Sequence, residues 1–533
     1  MTIATGAPVR PTLRLSPLRT AALVAAVLAF APVAAVIATA FGPGADSLSG
    51  ETFARYAWTS AIVAAGVAAA TAVLGATSAW LVVMHRFPGR DLFAWALVLP
   101  LAAPAFAMAY GYADLFDVAG PIRTAWRGAF GADLPLEMRS IPGAVFVLSL
   151  AFYPYVYLTM RAALVNQSVC ALEAARTLGR TEREAFAAVA LPLARPALAA
   201  GMALAVMETL ADYGAVSFLG VQTLTTGVVR AWSIFGSTAE AARLALPLLG
   251  AAAVLLLIER TSRRNRSADV GPARWRPLPT RQLTGAAAGL AALFCFALVF
   301  FGLLLPAGWL AWRGFHIEPE TARLLRAGLN ALGVAVVTAV FTTALAALLA
   351  LGSKGMKLPA RIASLGYATP GAVMAIGLLT PAGWLWRGVE GAASGFGAGV
   401  ALLIFAYAAR LMAAALEPVD AGLERITPSM GHAARSLGET EAGAARRVEL
   451  PIATGALLTA ALLVFIDVLK ELPATVILRP FGFDTLAVMA DYYAKDERLA
   501  QASWPSLAIV LVALPAVVWL TRRVAASRPG SPV

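Results

Sequence analysis

Uninterrupted apolar runs of about 20 residues recur along the whole chain of 533 residues, and they restrict what it can fold into. An α-helix of that length crosses about 30 Å of hydrocarbon. The runs are rich in Leu, Ala and Val and lack the apolar/polar alternation of barrel strands, so they predict membrane-spanning helices. With 60% hydrophobic and 14% charged residues, the composition excludes a soluble globular domain.

The apolar runs predict twelve spans. They cover residues 20–41, 58–84, 92–115, 143–163, 196–221, 243–258, 283–310, 327–352, 362–385, 396–418, 453–478 and 503–520. Most of the 42 Lys and Arg residues fall inside the cell if the N-terminus is cytoplasmic, which predicts that both termini lie there. The first run is longer than a signal-peptide core, so we expect it to remain as a span.

Two parts of the sequence repeat. Residues 208–229 align without a gap with 467–488, and residues 103–111 align with 369–377. Each half holds six predicted spans, an even number, so the halves are parallel repeats related by an axis along the membrane normal. The net charge of +12 follows the positive-inside pattern, which argues against a nucleic-acid partner. The predicted divisions are a first repeat at 1–258, an Arg-rich cytoplasmic linker at 259–282 and a second repeat at 283–533.

A cytoplasmic loop of similar sequence occurs in each half. It reads EAARTLGRTEREAFAAVALP at 173–192 and HAARSLGETEAGAARRVELP at 432–451, with 11 of 20 positions identical. Its local chemistry predicts a helix, a break and a second helix. Gly179 and Gly438 can adopt the positive φ that ends a helix, and a threonine two residues later in each copy offers an N-cap oxygen. A single copy fits an ordinary amphipathic loop at the membrane surface as well as it fits a functional loop, but two copies at equivalent positions indicate a function.

The span after each loop carries two acids four residues apart. They are Glu208 and Asp212 in the first half and Asp467 and Glu471 in the second. A spacing of four places each pair on one helix face, where like charges repel and need a cation, a proton or a basic neighbour. Acids inside spans are functional candidates because they are costly there.

Gly214 and Pro473 directly follow these acids, and either residue can interrupt the helix and free backbone groups toward a cavity. Two interpretations stay open. In the first, the acids have a structural role: they lie near water at the end of the span, or they satisfy backbone groups at the helix break. In the second, they form an oxygen-rich path for a hard cation together with Tyr213.

The paired loops resemble the Glu-Ala-Ala loop signature of permeases in ATP-binding-cassette importers. The first copy carries it at Glu173, Ala174, Ala175, Gly179, Val189, Leu191 and Pro192, and the second at Ala433, Ala434, Gly438, Val448, Leu450 and Pro451. His432 stands where the second copy should have its Glu. The resemblance implies that each loop contains a coupling helix seated in a cytoplasmic ATPase, with unequal polar contacts in the two copies.

Residues 210–232 and 469–488 resemble the fused permeases of ferric-iron importers, which carry two six-span halves in one chain. That resemblance implies an all-α, MetI-like fold of the type I importers, two ATPase subunits and a periplasmic binding protein. Fused permeases for thiamine and other small solutes share the plan. Because the sequence has no GxxxxGK[ST] loop, ATP and Mg are expected on the partner subunits, with no cofactor on this chain.

Other classes of membrane protein fit less well. A secondary transporter also has duplicated halves and membrane acids but does not need paired docking loops. A membrane enzyme is disfavoured because the three histidines form no HExxH motif and no GxSxG motif is present. We therefore expect no catalytic residues and no stable metal site.

Overall fold

The computed structural model describes residues 17–42, 49–166, 177–179, 184, 191–264, 280–352, 369–386, 392–424 and 426–526, which are mostly helical. The first half contains α1 (Pro17–Ala40), α2 (Gly50–Met84), α3 (Arg90–Ala96), a 3₁₀ turn (Leu99–Ala102), α4 (Ala105–Leu115), α5 (Pro121–Phe130), α6 (Ile141–Asn166), α7 (Leu191–Ala211), α8 (Gly214–Phe218), α9 (Leu224–Ser233) and α10 (Thr238–Arg264).

The second half begins with a helix that passes through a π-helical turn, Phe300–Leu304. Its elements are α11 (Gly285–Val299), α12 (Leu305–Phe315), α13 (Thr321–Gly352), α14 (Gly371–Trp386), α15 (Ala392–Leu423), α16 (Pro428–Ser436), α17 (Glu441–Ala444), a π-turn (Ala445–Glu449), α18 (Leu450–Ile452), α19 (Thr454–Leu469), α20 (Pro473–Leu478), α21 (Leu486–Lys495) and α22 (Leu499–Ala526).

Within the described ranges, nine helices are long and apolar enough to cross a membrane, and counting each of two bent pairs as one span gives eleven. The bent pairs are Arg90–Ala102 with Ala105–Leu115, at 89°, and Ala442–Ile452 with Thr454–Leu469, at 75°. The predicted span 362–385 overlaps the shorter apolar helix Gly371–Gly383, and part of it lies outside the described residues. The helical, multi-span fold is confirmed, while the count of twelve stays a prediction.

The first helix of each half packs against the other half. Helix α1 contacts α13 and α14, and a Cβ on Gly352 would lie 2.6 Å from the backbone oxygen of Leu18, so only glycine permits this approach. Helix α11 shares a hydrophobic core with α2 and α6, to which it contributes Cys295. The two halves are therefore interlocked by an exchange of helices that the sequence pattern does not predict.

A short pair of parallel strands joins the end of the linker to the end of α2. Strand β1 (His85–Arg86) pairs with β2 (Arg281–Gln282), and Arg86 Nε donates to Thr280 Oγ1 at 2.8 Å. On the other side of the linker, α10 continues to Arg264, beyond the predicted span end at 258. Residues 265–279 of the predicted linker lie outside the described residues.

Candidate functional site

Both predicted helix breaks are present, at equivalent positions. Helix α7 ends at Ala211 and α8 begins at Gly214, while α19 ends at Leu469 and α20 begins at Pro473. Proline cannot continue a helix because it lacks a backbone N–H and its ring clashes with the preceding turn. Each break leaves the first backbone N–H groups of the following short helix without helical partners.

One acid of each pair satisfies these N–H groups. Asp212 Oδ1 accepts from the N–H groups of Ala215 and Val216, at 3.0 and 3.1 Å. Glu471 does the same at the positions 259 residues later, where it accepts from the N–H groups of Ala474 and Thr475, both at 3.2 Å. The interpretation that acids satisfy backbone groups at the break therefore fits Asp212 and Glu471.

The alignment of the halves without a gap holds only up to the breaks. The next helices are N-capped by Thr223 and Thr485, and each cap follows a glycine with positive φ, Gly220 or Gly482. The two threonines are 262 residues apart, as are the two glycines, whereas the acids at the breaks are 259 apart. The second half therefore has three more residues between its break and its capping threonine. The gapless alignment over 208–229 is wrong in its last part.

The acids of the second half are paired with bases. Arg410, in the middle of α15, lies 3.1 Å from Glu471, whose side chain is 1% exposed. Lys470, at the end of α19, lies 3.0 Å from Asp467. The basic neighbours required by closely spaced acids are therefore present on this side. The sequence signal for Arg410 is a charge inside an apolar run, which is functional or paired by default.

A central pocket of about 80 Å³ brings the five candidate path residues together between the two breaks. Its lining includes Glu208, Asp212, Tyr213, Asp467 and Glu471, together with Arg410 and Lys470. Four acids face two bases, so the formal charge of this group is negative. The residues that the sequence selects therefore converge on one pocket.

Tyr213 also contacts the opposite half. Lys495 Nζ, at the end of α21, donates to the Tyr213 hydroxyl at 2.9 Å and to Asp491 Oδ2 at 2.6 Å. Tyr213 and Asp491 are each 6% exposed. This hydrogen-bonded group joins the halves beside the central pocket. Sequence reasoning missed Lys495 and Asp491 because they lie outside the spans and distant in sequence from Tyr213.

A larger cavity, of about 640 Å³, shares Leu101, Asp467 and Lys470 with the central pocket. It extends toward the loop end of the bundle, where α6 and α15 finish and α7 and α19 begin. Arg161 and Glu417, which lie near those helix ends, are part of its lining. We call it the loop-end cavity. It provides space between the central pocket and the end that carries the paired loops.

Only part of the first paired loop is described. Glu173, Ala174 and Ala175 lie outside the described residues, as does Thr181. Gly179 has a φ of +83°, which confirms the predicted left-handed conformation. Leu191 begins α7 and Pro192 is its second residue, so proline stands where a helix tolerates it best.

The second paired loop shows the predicted helix, break and helix. Helix α16 contains His432, Ala433 and Ala434 and is closed at Gly438, which has a φ of +92°. The Glu439 N–H donates to the Ala434 carbonyl at 3.2 Å and the Gly438 N–H to the Arg435 carbonyl at 3.0 Å, which is the Schellman arrangement.

The N-cap after this turn is also confirmed. Thr440 Oγ1 accepts from the Gly443 N–H at 3.0 Å at the start of α17. Gly443 leaves room for the Glu439 carboxylate, which pairs with Arg447. Leu450 and Pro451 follow in α18, at the positions of Leu191 and Pro192.

An apolar side chain is exposed beside each turn. Leu178 is 83% exposed and Leu437, at the equivalent position, is 86% exposed. A leucine exposed to water lacks the free energy of burial, about 1.5–3 kcal/mol, unless a partner covers it. Both turns therefore present an uncovered apolar contact at the same end of the bundle.

A bundle of membrane helices with a charged pocket at two helix breaks, and with a cavity leading to one end, defines a membrane transport protein. The model of the family "Binding-protein-dependent transport system inner membrane component" matches residues 71–305. The chain is 32% identical over 198 residues to the sulfate transport system permease protein CysT of Escherichia coli strain K12, covering 36% of this chain and 70% of that protein.

Two further relatives align with different shares of this chain. The Fe(3+)-transport system permease protein FbpB 2 of Haemophilus influenzae is 23% identical over 453 residues, 82% of this chain and 84% of that protein. The molybdenum transport system permease protein ModB of Escherichia coli strain K12 is 30% identical over 186 residues, 34% of this chain and 80% of that protein. The chain belongs to the family of binding-protein-dependent transport system inner membrane components, and it is a multi-pass inner-membrane permease.

Proposed function

We propose that this chain is the permease of an ATP-binding-cassette importer for ferric iron. The observation that supports ferric iron as the cargo is the match to the Fe(3+) permease, which covers 82% of this chain and so includes both halves. The sulfate and molybdenum permeases match only about a third of it, 36% and 34%. A carboxylate-rich pocket suits a hard cation, which prefers oxygen ligands.

We infer an organisation of twelve spans in two parallel repeats, 1–258 and 283–533, with the linker 259–282 and both termini in the cytoplasm. The repeated local geometry supports it, since Asp212 and Glu471 cap the helix after each break in the same way. One chain then supplies both halves of the cargo path.

Each half supplies one docking point for an ATPase subunit. The supporting observations are the glycine turns at Gly179 and Gly438 and the exposed Leu178 and Leu437 beside them. In this proposal a dimer of ATPases carries ATP and Mg, and a periplasmic binding protein delivers cargo at the opposite end. The first loop begins with Glu173 and the second with His432, so the polar contacts that the two loops make with the ATPase subunits are unequal.

Transport follows from alternating access. Closure of the ATPases moves both paired loops, and the halves rock about the central pocket. In the present conformation the Tyr213–Lys495 contact joins the halves on one side of that pocket, while the loop-end cavity adjoins its other side. This corresponds to a path open toward the ATPases.

A small oxyanion is the second candidate cargo. Relatives named for sulfate and molybdenum are 32% and 30% identical to this chain, more than the Fe(3+) permease. Arg410 and Lys470 at the central pocket provide positive charge for such a cargo.

Uptake measurements separate these cargoes. Cells lacking the chain, with and without a plasmid copy, are supplied with radioactive ferric iron, sulfate or molybdate, and the partner ATPase gene is deleted in a parallel strain. We expect iron uptake that requires both the chain and the ATPase. Uptake of sulfate alone would overturn the iron assignment, and uptake without any ATPase would overturn the importer class.

Docking is tested by replacing Leu178 and Leu437 with aspartate together. A charge at each exposed turn cannot be buried against a partner cheaply, so we expect co-purification with the ATPase to fall at least tenfold while the protein still inserts. Phe315→Asp is the matched control, because Phe315 is 81% exposed at the opposite end of the bundle. Equal ATPase recovery in all three proteins would contradict docking at these turns.

A further inference from the structure

Arg161 is a buried base to which the described residues offer no ion pair. It lies in α6 and is 7% exposed, and its Nε has no hydrogen-bond partner among the described residues. Removing a guanidinium from water without a counter-charge is energetically unfavourable. Such a residue is retained in a fold when something else supplies the missing interaction.

Arg161 is one of the residues that line the loop-end cavity. Most of the surrounding wall is apolar and includes Leu204, Met207 and Leu463. In the described part of the chain no ion pair joins Arg161 to an acid of this wall, and Asp467 is already held by Lys470 at 3.0 Å. Glu417, the other acid of this lining, is exposed and forms no ion pair with Arg161 among the described residues. An anion entering this cavity would therefore meet a buried positive charge in low-dielectric surroundings, where attraction is strong.

The chemistry of arginine restricts the class of ligand that can bind here. Its planar fork of five N–H donors matches the two oxygens of a carboxylate, sulfate or phosphate group. The cavity, at about 640 Å³, has room for a small hydrated anion beside the side chain.

We propose that Arg161 forms a binding subsite for a small soluble oxyanion or carboxylate in the loop-end cavity. The subsite receives the anionic part of the cargo after it leaves the central pocket and before release. This rests on the proposed function, since it takes the cavity to be part of the transport path. For ferric iron, the anion is a ligand that accompanies the metal; for an oxyanion cargo, it is the cargo itself.

The test is anion binding by the purified full-length chain in nanodiscs of uncharged phosphatidylcholine, without ATPase. Sulfate, molybdate, phosphate and citrate are titrated while thermal unfolding is followed. We expect at least one of them to raise the unfolding midpoint of the wild type, with a dissociation constant at least tenfold weaker in Arg161→Met and partly restored in Arg161→Lys. Arg195→Met, an exposed arginine near the same end of the bundle, serves as the control and should bind like the wild type.

Three outcomes would overturn the subsite. They are no stabilisation of the wild type by any of the four anions, equal stabilisation of wild type and Arg161→Met, or an Arg161-dependent effect seen only with phosphatidylglycerol in the nanodisc, which would assign the charge to a lipid headgroup. If Arg161→Met does not fold, the comparison with the wild type is made with Arg161→Gln instead, and a wild type that no anion stabilises overturns the subsite without any variant. Because ATPase-dependent uptake is measured separately, the importer proposal and the subsite can fail independently.

Discussion

At the scale of single residues, charge is shared unevenly between the halves. At the spacing of 259 residues, Arg410 corresponds to Ala151 and Lys470 to Ala211, and all four line the central pocket. Both bases thus belong to the second half, where they pair with its acids. The equivalent positions in the first half provide no base for Glu208.

This asymmetry predicts different consequences for two similar substitutions. Glu471→Gln leaves Arg410 without its charged partner in a buried site, which should cost about 3–5 kcal/mol and lower the unfolding temperature in detergent. Glu208→Gln should leave the unfolding temperature close to the wild-type value but reduce ATP-driven uptake at least tenfold. Unfolding and uptake are measured on both proteins, and normal uptake by Glu208→Gln would contradict its place in the path.

At the scale of elements, the loop turns depend on backbone conformation more than on space. A Cβ added at Gly179 or Gly438 meets no atom within 4 Å, but both residues have φ values that L side chains rarely adopt. A β-branched residue in this conformation is strained by roughly 1–2 kcal/mol, whereas asparagine tolerates it better.

The coupling of ATP hydrolysis to transport should therefore depend on how well the residue at position 438 tolerates a positive φ. In the reconstituted complex, we expect Gly438→Val to reduce the cargo moved per ATP hydrolysed, with ATP hydrolysis continuing, and Gly438→Asn to lie near the wild type. The ratio of transport to hydrolysis is the measurement. If valine and asparagine have the same effect, the turn conformation is not what transmits the movement.

These elements also show what the sequence can predict. The breaks before Gly214 and Pro473 and the turn at Gly438 follow from local chemistry, since proline and glycine have narrow backbone requirements. The ion pair of Arg410 with Glu471 joins residues 61 apart on different helices, and hydropathy carries no information about such a pairing. The exchange of α1 and α11 was likewise unpredictable, because apolar periodicity does not specify which neighbour covers a helix.

At the scale of the whole molecule, the exchange of helices predicts how the halves behave apart. Co-expressed fragments that begin or end within residues 265–279 should assemble and co-purify, because each half holds the first helix of the other. Either fragment alone should be degraded, since α1 or α11 then lacks the surface it packs against. Fragment yield from membranes, alone and together, is the measurement, and a stable first half in isolation would contradict the interlocked packing.

The same exchange constrains how the protein is made. Thr39 in α1 donates a hydrogen bond to Thr380 in α14 at 3.3 Å, across 341 residues of sequence. Contacts between such distant positions form slowly, because a long loop must close before they contribute. Helix α1 therefore enters the membrane early in translation and reaches its final neighbours only after most of the chain has been synthesised. A nascent chain that stops in the first half leaves α1 without them, so membrane quality control can distinguish an unfinished permease from a complete one by that uncovered helix.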